Sequence, residues 1–237
     1  AFWAAHYAAE KIGCEVVPGG VLDTEARILK MQGLRCTAFA ATPTYVLGMA
    51  DTARKMGIDP RSIGIKKITC AGEPGASIPT TKKRMEEAWG AKVYDHVGAT
   101  EIGAWSYMCT EQKGLHVNEA FFLVEIEDIE TGEIIEEPMK NGKMIITAFD
   151  RFAKPCIRFD SKDVIRWADY ECPCGRTFRM IDGGVIGRTD DITKVKGVLL
   201  APTAIEEVVR SFKELSDEYE VIVSKKGDID DILLKIE

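Results

Sequence analysis

Short β-type runs and helical patterns alternate through the first hundred residues, and this alternation limits the possible folds more than any other feature of the sequence. Helices are predicted over residues 2–12, 24–31, 42–56 and 79–89, and strands over 14–18, 36–40, 67–71 and 92–94. Thr24 and Thr42 are predicted N-caps, the second one followed by Pro43, and a glycine stands shortly after each helix. Strand–helix–strand order with short connections is typical of an α/β protein whose parallel sheet is covered by helices.

The second half of the chain has a different character. Strands predicted over 121–126 and 143–147 flank a turn at 130–133, which indicates an antiparallel, β-rich subdomain. An amphipathic helix over 203–212 and a strand over 219–224 follow, so we expect a domain boundary near Asp190 and the start of a small α+β domain after it. Both ends of the chain fall inside predicted elements, which favours an internal fragment of a longer protein.

The composition argues against several functional classes. The chain has 46% hydrophobic and 29% charged residues, the balance of a globular protein, and its net charge of −7 argues against a nucleic-acid partner. No stretch approaches the roughly 20 apolar residues of a membrane span, and the start lacks the pattern of a signal peptide. We therefore expect a cytoplasmic protein that binds small molecules and has no membrane partner.

Two loops are candidate ligand sites because ligands of parallel sheets bind beyond the carboxyl ends of the strands. Residues 71–76 follow the third predicted strand, and residues 95–101 follow the fourth. In the second loop a hydroxyl, Thr100, precedes a carboxylate, Glu101, a pair that suits a phosphate oxygen and a hard cation such as Mg²⁺. The alternative is a plain turn with a solvated glutamate.

Two later segments carry charges in patterns that suit a nucleotide. In the segment 158–163, an Asp after a tight turn offers two acceptor oxygens for vicinal sugar hydroxyls, although a surface turn with mixed charges would have the same composition. The segment 187–197 has glycine at both ends and Arg188 near its start. It is either a flexible connector that directs a basic residue toward an anion or an ordinary polar linker.

Together, in this order, these segments resemble the adenylate-forming superfamily of acyl-CoA synthetases, peptide-synthetase adenylation domains and luciferases. The flanking segments 6–10, 42–45, 56–60 and 197–206 are similar to the phenylacetate–coenzyme A ligase family. The resemblance runs over nearly the whole chain.

The resemblance implies nucleotide-binding positions in both candidate loops: Gly72, Glu73, Pro74, Asp95, His96 and Gly98. For His96 the alternative is a hydrogen bond that only stabilises its loop. Relatives usually have an aromatic residue before this last glycine, where the chain has Val97. Thr100 is implied to contact phosphate, Glu101 to hold Mg²⁺, and Arg188 to lie near the ribose or phosphate.

The resemblance also implies a two-domain organisation with a moving boundary. Residues 1–189 would be part of the large domain and 190–237 the truncated start of the small one, with Asp190 as the hinge. Asp163 would bind the ribose hydroxyls, and Gly197 would let the arm of coenzyme A pass close to the backbone. The family's phosphate loop and its adenylation lysine have no counterpart in this sequence, so the fragment alone is expected to be inactive.

The activity implied is the ATP-dependent activation of a carboxylic acid, expected to be an aryl acid, to an acyl-AMP, followed by thioester formation with coenzyme A. ATP or AMP, Mg²⁺ and coenzyme A are the expected cofactors, and a homodimer is expected by analogy. One alternative is adenylyl transfer to another acceptor, such as a deazaflavin. A second is a zinc-stabilised nucleotide-binding protein without turnover.

The odd number of cysteines, seven, and the lack of a secretory pattern argue against a disulfide framework, and four residues suit a structural zinc site instead. Cys172 and Cys174 stand on a tight turn, and Cys109 and His116 lie upstream. Three thiolates and one imidazole would close a tetrahedral Zn²⁺ site. Some phenylacetate–coenzyme A ligase relatives look similar here, with Cys and His just before the β region and a Cys pair after it. The alternative is four unrelated residues with buried thiols. Three other cysteines are predicted core residues of strands: Cys14, Cys36 and Cys70.

Overall fold

A six-stranded mixed sheet forms the first layer of the structure, which is a computed structural model. It describes residues 2–191, 193–195, 198–200, 202–212, 214–215, 219–226 and 229–236. Numbered in chain order, the strands are β1 (Ala38–Ala41), β2 (Lys67–Cys70), β3 (Lys92–Ala99), β4 (Gly103–Tyr107), β5 (Leu115–Val117) and β9 (Met180–Ile181), and they pair in that order. The first three are parallel, as predicted, and the other three extend the sheet in antiparallel fashion.

Five helical segments belong to this half of the chain, and all but the first contribute residues to a continuous apolar core under the sheet. They are α1 (Phe2–Lys11), α2 (Thr24–Gly33), α3 (Pro43–Lys55) and α4 (Pro79–Trp89), with a 3-10 helix at Pro60–Ile63. At the end of α4, Trp89 is buried against Phe39 of β1 at 5.0 Å between ring centroids. Its indole Nε1 donates a hydrogen bond of 3.0 Å to the Val46 carbonyl, so the side chain joins α4, α3 and the sheet while its donor is satisfied.

Three local predictions for this half were wrong. Cys36 lies before β1 and is half-buried, so it is not a core residue of a strand. Residues 14–18 form no strand, since they pair with no strand among the described residues, and Cys14 is exposed rather than part of the core. The N-cap of α2 is Asp23, whose Oδ1 accepts a hydrogen bond of 2.7 Å from the Ala26 amide. The predicted cap, Thr24, instead shares a hydrogen bond of 3.0 Å with the Tyr45 hydroxyl.

A second, antiparallel sheet confirms the predicted β-rich subdomain. Its strands pair in the order β10 (Gly187–Arg188), β8 (Phe159–Ile165), β7 (Gly142–Ala148) and β6 (Phe122–Glu127). Buried residues of β4 and β5 share one core with those of β6, β7 and β8, among them Trp105, Ile126, Met144 and Ile165. The two sheets therefore pack against each other through one common apolar layer.

The last part of the described chain consists of two hairpins around one helix. The hairpins are β11 (Thr193–Val195) with β12 (Val198–Leu200) and β13 (Tyr219–Lys226) with β14 (Ile229–Ile236), and α5 (Pro202–Ser211) lies between them. The helix and the strand predicted here are confirmed, and α5 contacts α4. Within the described ranges, no helix is both long enough and apolar enough to cross a bilayer.

Candidate functional site

The predicted Thr–Glu segment forms the connection of the β3–β4 hairpin. Both Thr100 and Glu101 are exposed there, so the hydroxyl and the carboxylate are open to a ligand. The two strands approach closely next to them, because a Cβ on Gly98 would lie 2.8 Å from the Gly103 carbonyl oxygen. A larger residue at Gly98 would push the hairpin apart, which explains the glycine in this segment.

The loop after β2 is bound to the start of α3. The Glu73 carboxylate accepts a hydrogen bond of 2.6 Å from the Thr44 amide, one of the free N–H groups at the helix N-terminus. A Cβ on Gly75, whose φ is +149°, would lie 2.5 Å from the Cβ of Pro43. The Glu73 side chain therefore holds its own loop against the start of α3.

Asp95 of β3 faces the interior instead of the solvent. It accepts a short hydrogen bond from the Ser77 hydroxyl and one of 2.9 Å from the His96 amide. Burial raises the pKa of Asp95, since desolvation disfavours the carboxylate more than these bonds favour it. A Cβ on Gly184 would lie 2.9 Å from the Ser77 Oγ, so three chain segments meet at this carboxyl group. Sequence reasoning missed Ser77, which no motif marks.

The structure brings Asp163, Arg188 and Asp190 together in what we call the Arg188 network. Arg188 on β10 pairs with Asp163 on β8 in the sheet register. Its Nε and Nη2 donate to the two carboxylate oxygens of Asp190 at 2.9 and 2.8 Å, and its Nη1 lies 3.6 Å from Asp163 Oδ1. Burial raises the pKa of Asp163, and the charge of Arg188 opposes that rise. Gly197, the predicted position beside coenzyme A, lies outside the described residues.

Four residues that are far apart in the sequence form what we call the Cys–His cluster: Cys109, His116, Cys172 and Cys174. Their ligand atoms all lie within 4.8 Å of one another. The Sγ atoms of Cys109 and Cys172 are 3.4 Å apart, and Cys174 Sγ lies 3.4 Å from His116 Nε2. Ligands of a tetrahedral zinc ion with bonds of about 2.0–2.3 Å stand roughly 3.5–3.8 Å apart, so the geometry fits such an ion.

Local structure explains the arrangement of the cluster. His116 lies on β5 and is fully buried, and its Nδ1 is 3.5 Å from the Phe178 carbonyl, which leaves Nε2 for a ligand role. A hydrogen bond from the Arg176 backbone amide lowers the pKa of Cys174 to about 6. This shift favours the thiolate, the form that binds metal ions, whereas burial raises the pKa of Cys172 to about 11.

The chain is similar to several known proteins. Residues 197–237 match the family model described as AMP-binding enzyme C-terminal domain. A phenylacetate-coenzyme A ligase from Thermus thermophilus is 32% identical over 235 residues. That match covers 98% of this chain and 52% of the relative, so the chain spans about half the length of the curated relatives it matches.

Solved structures give the same result. The crystal structure of 2-hydroxyisobutyryl-CoA ligase in the postadenylation state, in complex with R3-HIB-AMP, overlays with a TM-score of 0.91 at 28% identity and covers 99% of this chain and 50% of that one. The same ligase in the thioesterification state, with 2-HIB-AMP and CoA, gives 0.76 at 28% identity, covering 99% of this chain and 50% of that one. The chain therefore overlays better on the postadenylation arrangement. It is similar over 98% of its length to the phenylacetate-coenzyme A ligases and corresponds to about half of their length.

Proposed function

We propose that the protein activates a carboxylic acid with ATP and transfers the acyl group to coenzyme A. The observation that carries this proposal is the overlay, over 99% of the chain, on a CoA ligase that holds an acyl-AMP. The side chains proposed here for the reaction lie on the β3–β4 turn and on the paired strands β8 and β10: Thr100, Glu101, Asp163 and Arg188. The relatives at 31–32% identity are phenylacetate-coenzyme A ligases, which supports an aryl acid as the substrate.

The reaction needs charge neutralisation and alignment more than covalent participation by the protein. A carboxylate oxygen attacks the α-phosphate of ATP, which forms an acyl-AMP and releases pyrophosphate, and a thiol then displaces AMP. Glu101 is the carboxylate that would hold Mg²⁺, which supplies positive charge for the phosphates when bound. Thr100 would donate its hydroxyl hydrogen to a phosphate oxygen, and Asp163 would accept hydrogen bonds from the ribose.

We further propose that Asp190 is a hinge between residues 1–189 and 190–237. Arg188 and Asp190 form a bidentate ion pair at that boundary, where a change in backbone angles would separate them. The lower TM-score against the thioesterification state supports a movement between the two half-reactions. Arg188, released from Asp190, would then be able to approach the nucleotide.

We propose that the Cys–His cluster holds a structural Zn²⁺ ion. Three sulfur ligands and one imidazole complete a tetrahedral shell, which leaves no position for a substrate. Most of the cluster is buried, and it joins β5 to the turn at Cys172 and Cys174, so the ion would stabilise that junction. A zinc-stabilised protein without turnover would share this cluster, so only an activity assay distinguishes that alternative from a ligase.

The test is a product assay on the full-length protein with ATP, Mg²⁺ and phenylacetate as the first acid. We expect pyrophosphate and an acyl-AMP without coenzyme A, and AMP and an acyl-CoA thioester with it. Glu101→Gln is expected to lower the adenylation rate about 100-fold, while the exposed Glu137→Gln should retain it.

Two outcomes would contradict the proposal. Pyrophosphate release with any acid but no thioester would favour a different acyl or adenylyl acceptor. No nucleotide turnover with a panel of aryl and short-chain acids, in protein that binds AMP, would favour the binding protein without turnover.

A further inference from the structure

The loop between β7 and β8, residues 149–158, lies against the turn that carries Thr100 and Glu101. Arg151 Nε donates a hydrogen bond of 2.7 Å to the Ile102 carbonyl. Cys156 Sγ donates one of 3.1 Å to the Glu101 carbonyl. Two consecutive carbonyl groups of the turn are therefore held by two side chains of a single loop.

The turn is held at its ends by the Ala99–Gly103 pairing of the hairpin and by the buried side chain of Ile102, but it has few hydrogen bonds of its own. Within it, the Ile102 amide reaches the Ala99 carbonyl at 3.3 Å, a long hydrogen bond. The side chains of Thr100 and Glu101 are exposed, so they do not anchor the backbone. The external donors thus supply much of the hydrogen bonding that keeps the peptide planes of the turn in one orientation.

The loop itself is firmly attached. Cys156 is 4% exposed and belongs to the core between the two sheets, and its carbonyl accepts a hydrogen bond of 2.9 Å from the Ala148 amide. At the other donor, a Cβ on Gly103 would lie 3.3 Å from Arg151 Nη2, so the guanidinium lies directly against the backbone of the hairpin. Cys156 therefore donates from a fixed position in the core, and Arg151 donates from direct contact with the hairpin.

The same loop leads into β8, which carries Asp163. The Arg158 amide, the last of the loop, donates a hydrogen bond of 2.9 Å to the Thr147 Oγ1, which joins the end of the loop to β7. The loop therefore connects two proposed ligand groups. One is Glu101 on the turn, proposed for Mg²⁺, and the other is Asp163 on β8, proposed for the ribose.

We propose that Arg151 and Cys156 are positioning residues, which hold the backbone of the Thr100–Glu101 turn so that both side chains keep the orientation needed for metal and phosphate. This inference rests on the proposed function for its catalytic consequence. Its structural content, that these two donors restrain the turn, does not depend on that function. Neither residue belongs to a motif of the sequence.

The test compares variants of the full-length protein. Arg151→Met removes the donors and the charge but keeps an unbranched side chain, and Arg151→Lys keeps the charge with a single donor group. Cys156→Ala removes the thiol, and Cys156→Ser keeps a hydroxyl donor of similar size. Lys154→Met is the matched control, since this exposed residue belongs to the same loop and carries a positive charge like that of Arg151.

The kinetic readouts are kcat and KM for pyrophosphate release and the Mg²⁺ concentration that gives half-maximal rate. We expect Arg151→Met to lower kcat by up to about 100-fold and to raise the Mg²⁺ requirement, with the KM for the acid changed by less than about threefold. Cys156→Ala should act in the same direction, with rescue by Cys156→Ser. A rate for Arg151→Met equal to that of wild type, or an equal loss in Lys154→Met, would overturn the proposal.

Hydrogen–deuterium exchange of peptides spanning residues 97–106 is the second readout. Arg151→Met is expected to accelerate exchange of the turn amides about tenfold, while peptides of α3 and α4 stay at the wild-type rate. If the wild type forms no acyl-AMP, the proposed function fails, and this exchange measurement alone decides the restraint. Exchange of the turn at the wild-type rate would overturn the inference whatever the activity.

Discussion

The Cys–His cluster and the Arg188 network both join residues that are distant in the sequence, but they differ in burial and in the kind of interaction. Three of the four cluster residues are buried, and their sulfur and nitrogen atoms converge on one point. In the Arg188 network, by contrast, the Arg188 side chain is 44% exposed and that of Asp190 is 54% exposed. Exposed ion pairs contribute little to stability and rearrange at low cost, whereas a closed metal shell holds one geometry. The cluster is thus suited to a permanent structural role, and the network to a ligand-dependent one.

The largest effect is expected from breaking the cluster. Cys172→Ser should abolish the binding of about one zinc ion per chain and destabilise the fold by more than about 4 kcal/mol, because a structural metal contributes directly to folding. Elemental analysis and urea unfolding measure the two quantities. The exposed Cys14→Ser is the control and should change stability by less than about 0.5 kcal/mol. Zinc-free wild-type protein, purified without chelator, would contradict the metal assignment.

A smaller and different effect is expected from the network. Asp163→Asn should weaken ATP binding by the full-length protein about 10-fold to 100-fold, since a charged acceptor for the ribose hydroxyls is lost. Its effect on stability should be slight, because the contact of Asp163 with the half-exposed Arg188 is a loose one of 3.6 Å.

Isothermal titration calorimetry measures the ATP affinity of this variant. Asp160→Asn is the matched control, because Asp160 lies on the same strand but pairs with Lys143 and Lys162. An equal loss of ATP affinity in both variants would show that the charge of β8, rather than a specific contact, governs binding.

The smallest effect is expected from Asp95, which is buried like the Cys–His cluster but carries a carboxyl group like the Arg188 network. Because its pKa is raised in the native state, the native protein holds this proton at pH values where the unfolded chain has released it. The free energy of unfolding therefore decreases as the pH rises above about 4. This decrease ends once the pH exceeds the native pKa of Asp95. Asp95→Asn removes that loss, so the variant should gain stability relative to wild type between acid and neutral pH in urea titrations.

Asp128→Asn is the control for this pH dependence, with the opposite sign. Backbone hydrogen bonds from Thr131 and Glu130 lower the pKa of Asp128, so its carboxylate contributes stability above the unfolded pKa. That variant should lose stability relative to wild type as pH rises. A stability difference for Asp95→Asn that does not change with pH would show that the carboxyl group is not effectively desolvated.

Local sequence patterns predicted the elements well where neighbours in the chain decide the structure. The helix over 79–89, bounded by Pro79 and Gly90, is confirmed residue for residue because its start and stop signals lie within it or next to it. The strand predicted over 14–18 was wrong, since a strand requires a partner that no local pattern supplies. The strand predicted over 92–94 corresponds to β3, which runs to Ala99 because its pairing with β4 extends it.

In the candidate site, too, some features could be predicted from the sequence and others could not. The sequence predicted the types of residue in the Cys–His cluster and the order of the proposed nucleotide motifs. It also predicted the family resemblance, which the relatives confirm. Asp95 and Glu101 stand six positions apart, and nothing in the sequence distinguishes their surroundings. One is buried against Ser77, and the other is exposed at a turn.

The sequence by itself determined the fold class, the approximate elements and the chemical types of the candidate ligands, because periodicity, caps and spacing act over a few residues. Tertiary structure alone decided that Cys109 and Cys172, 63 residues apart, bring their sulfur atoms within 3.4 Å. It also decided that Cys156, to which the sequence assigns no role, reaches the Glu101 carbonyl from a loop 55 residues away. Burial and long-range contact depend on how sheets and loops pack, and that packing is a property of the whole chain.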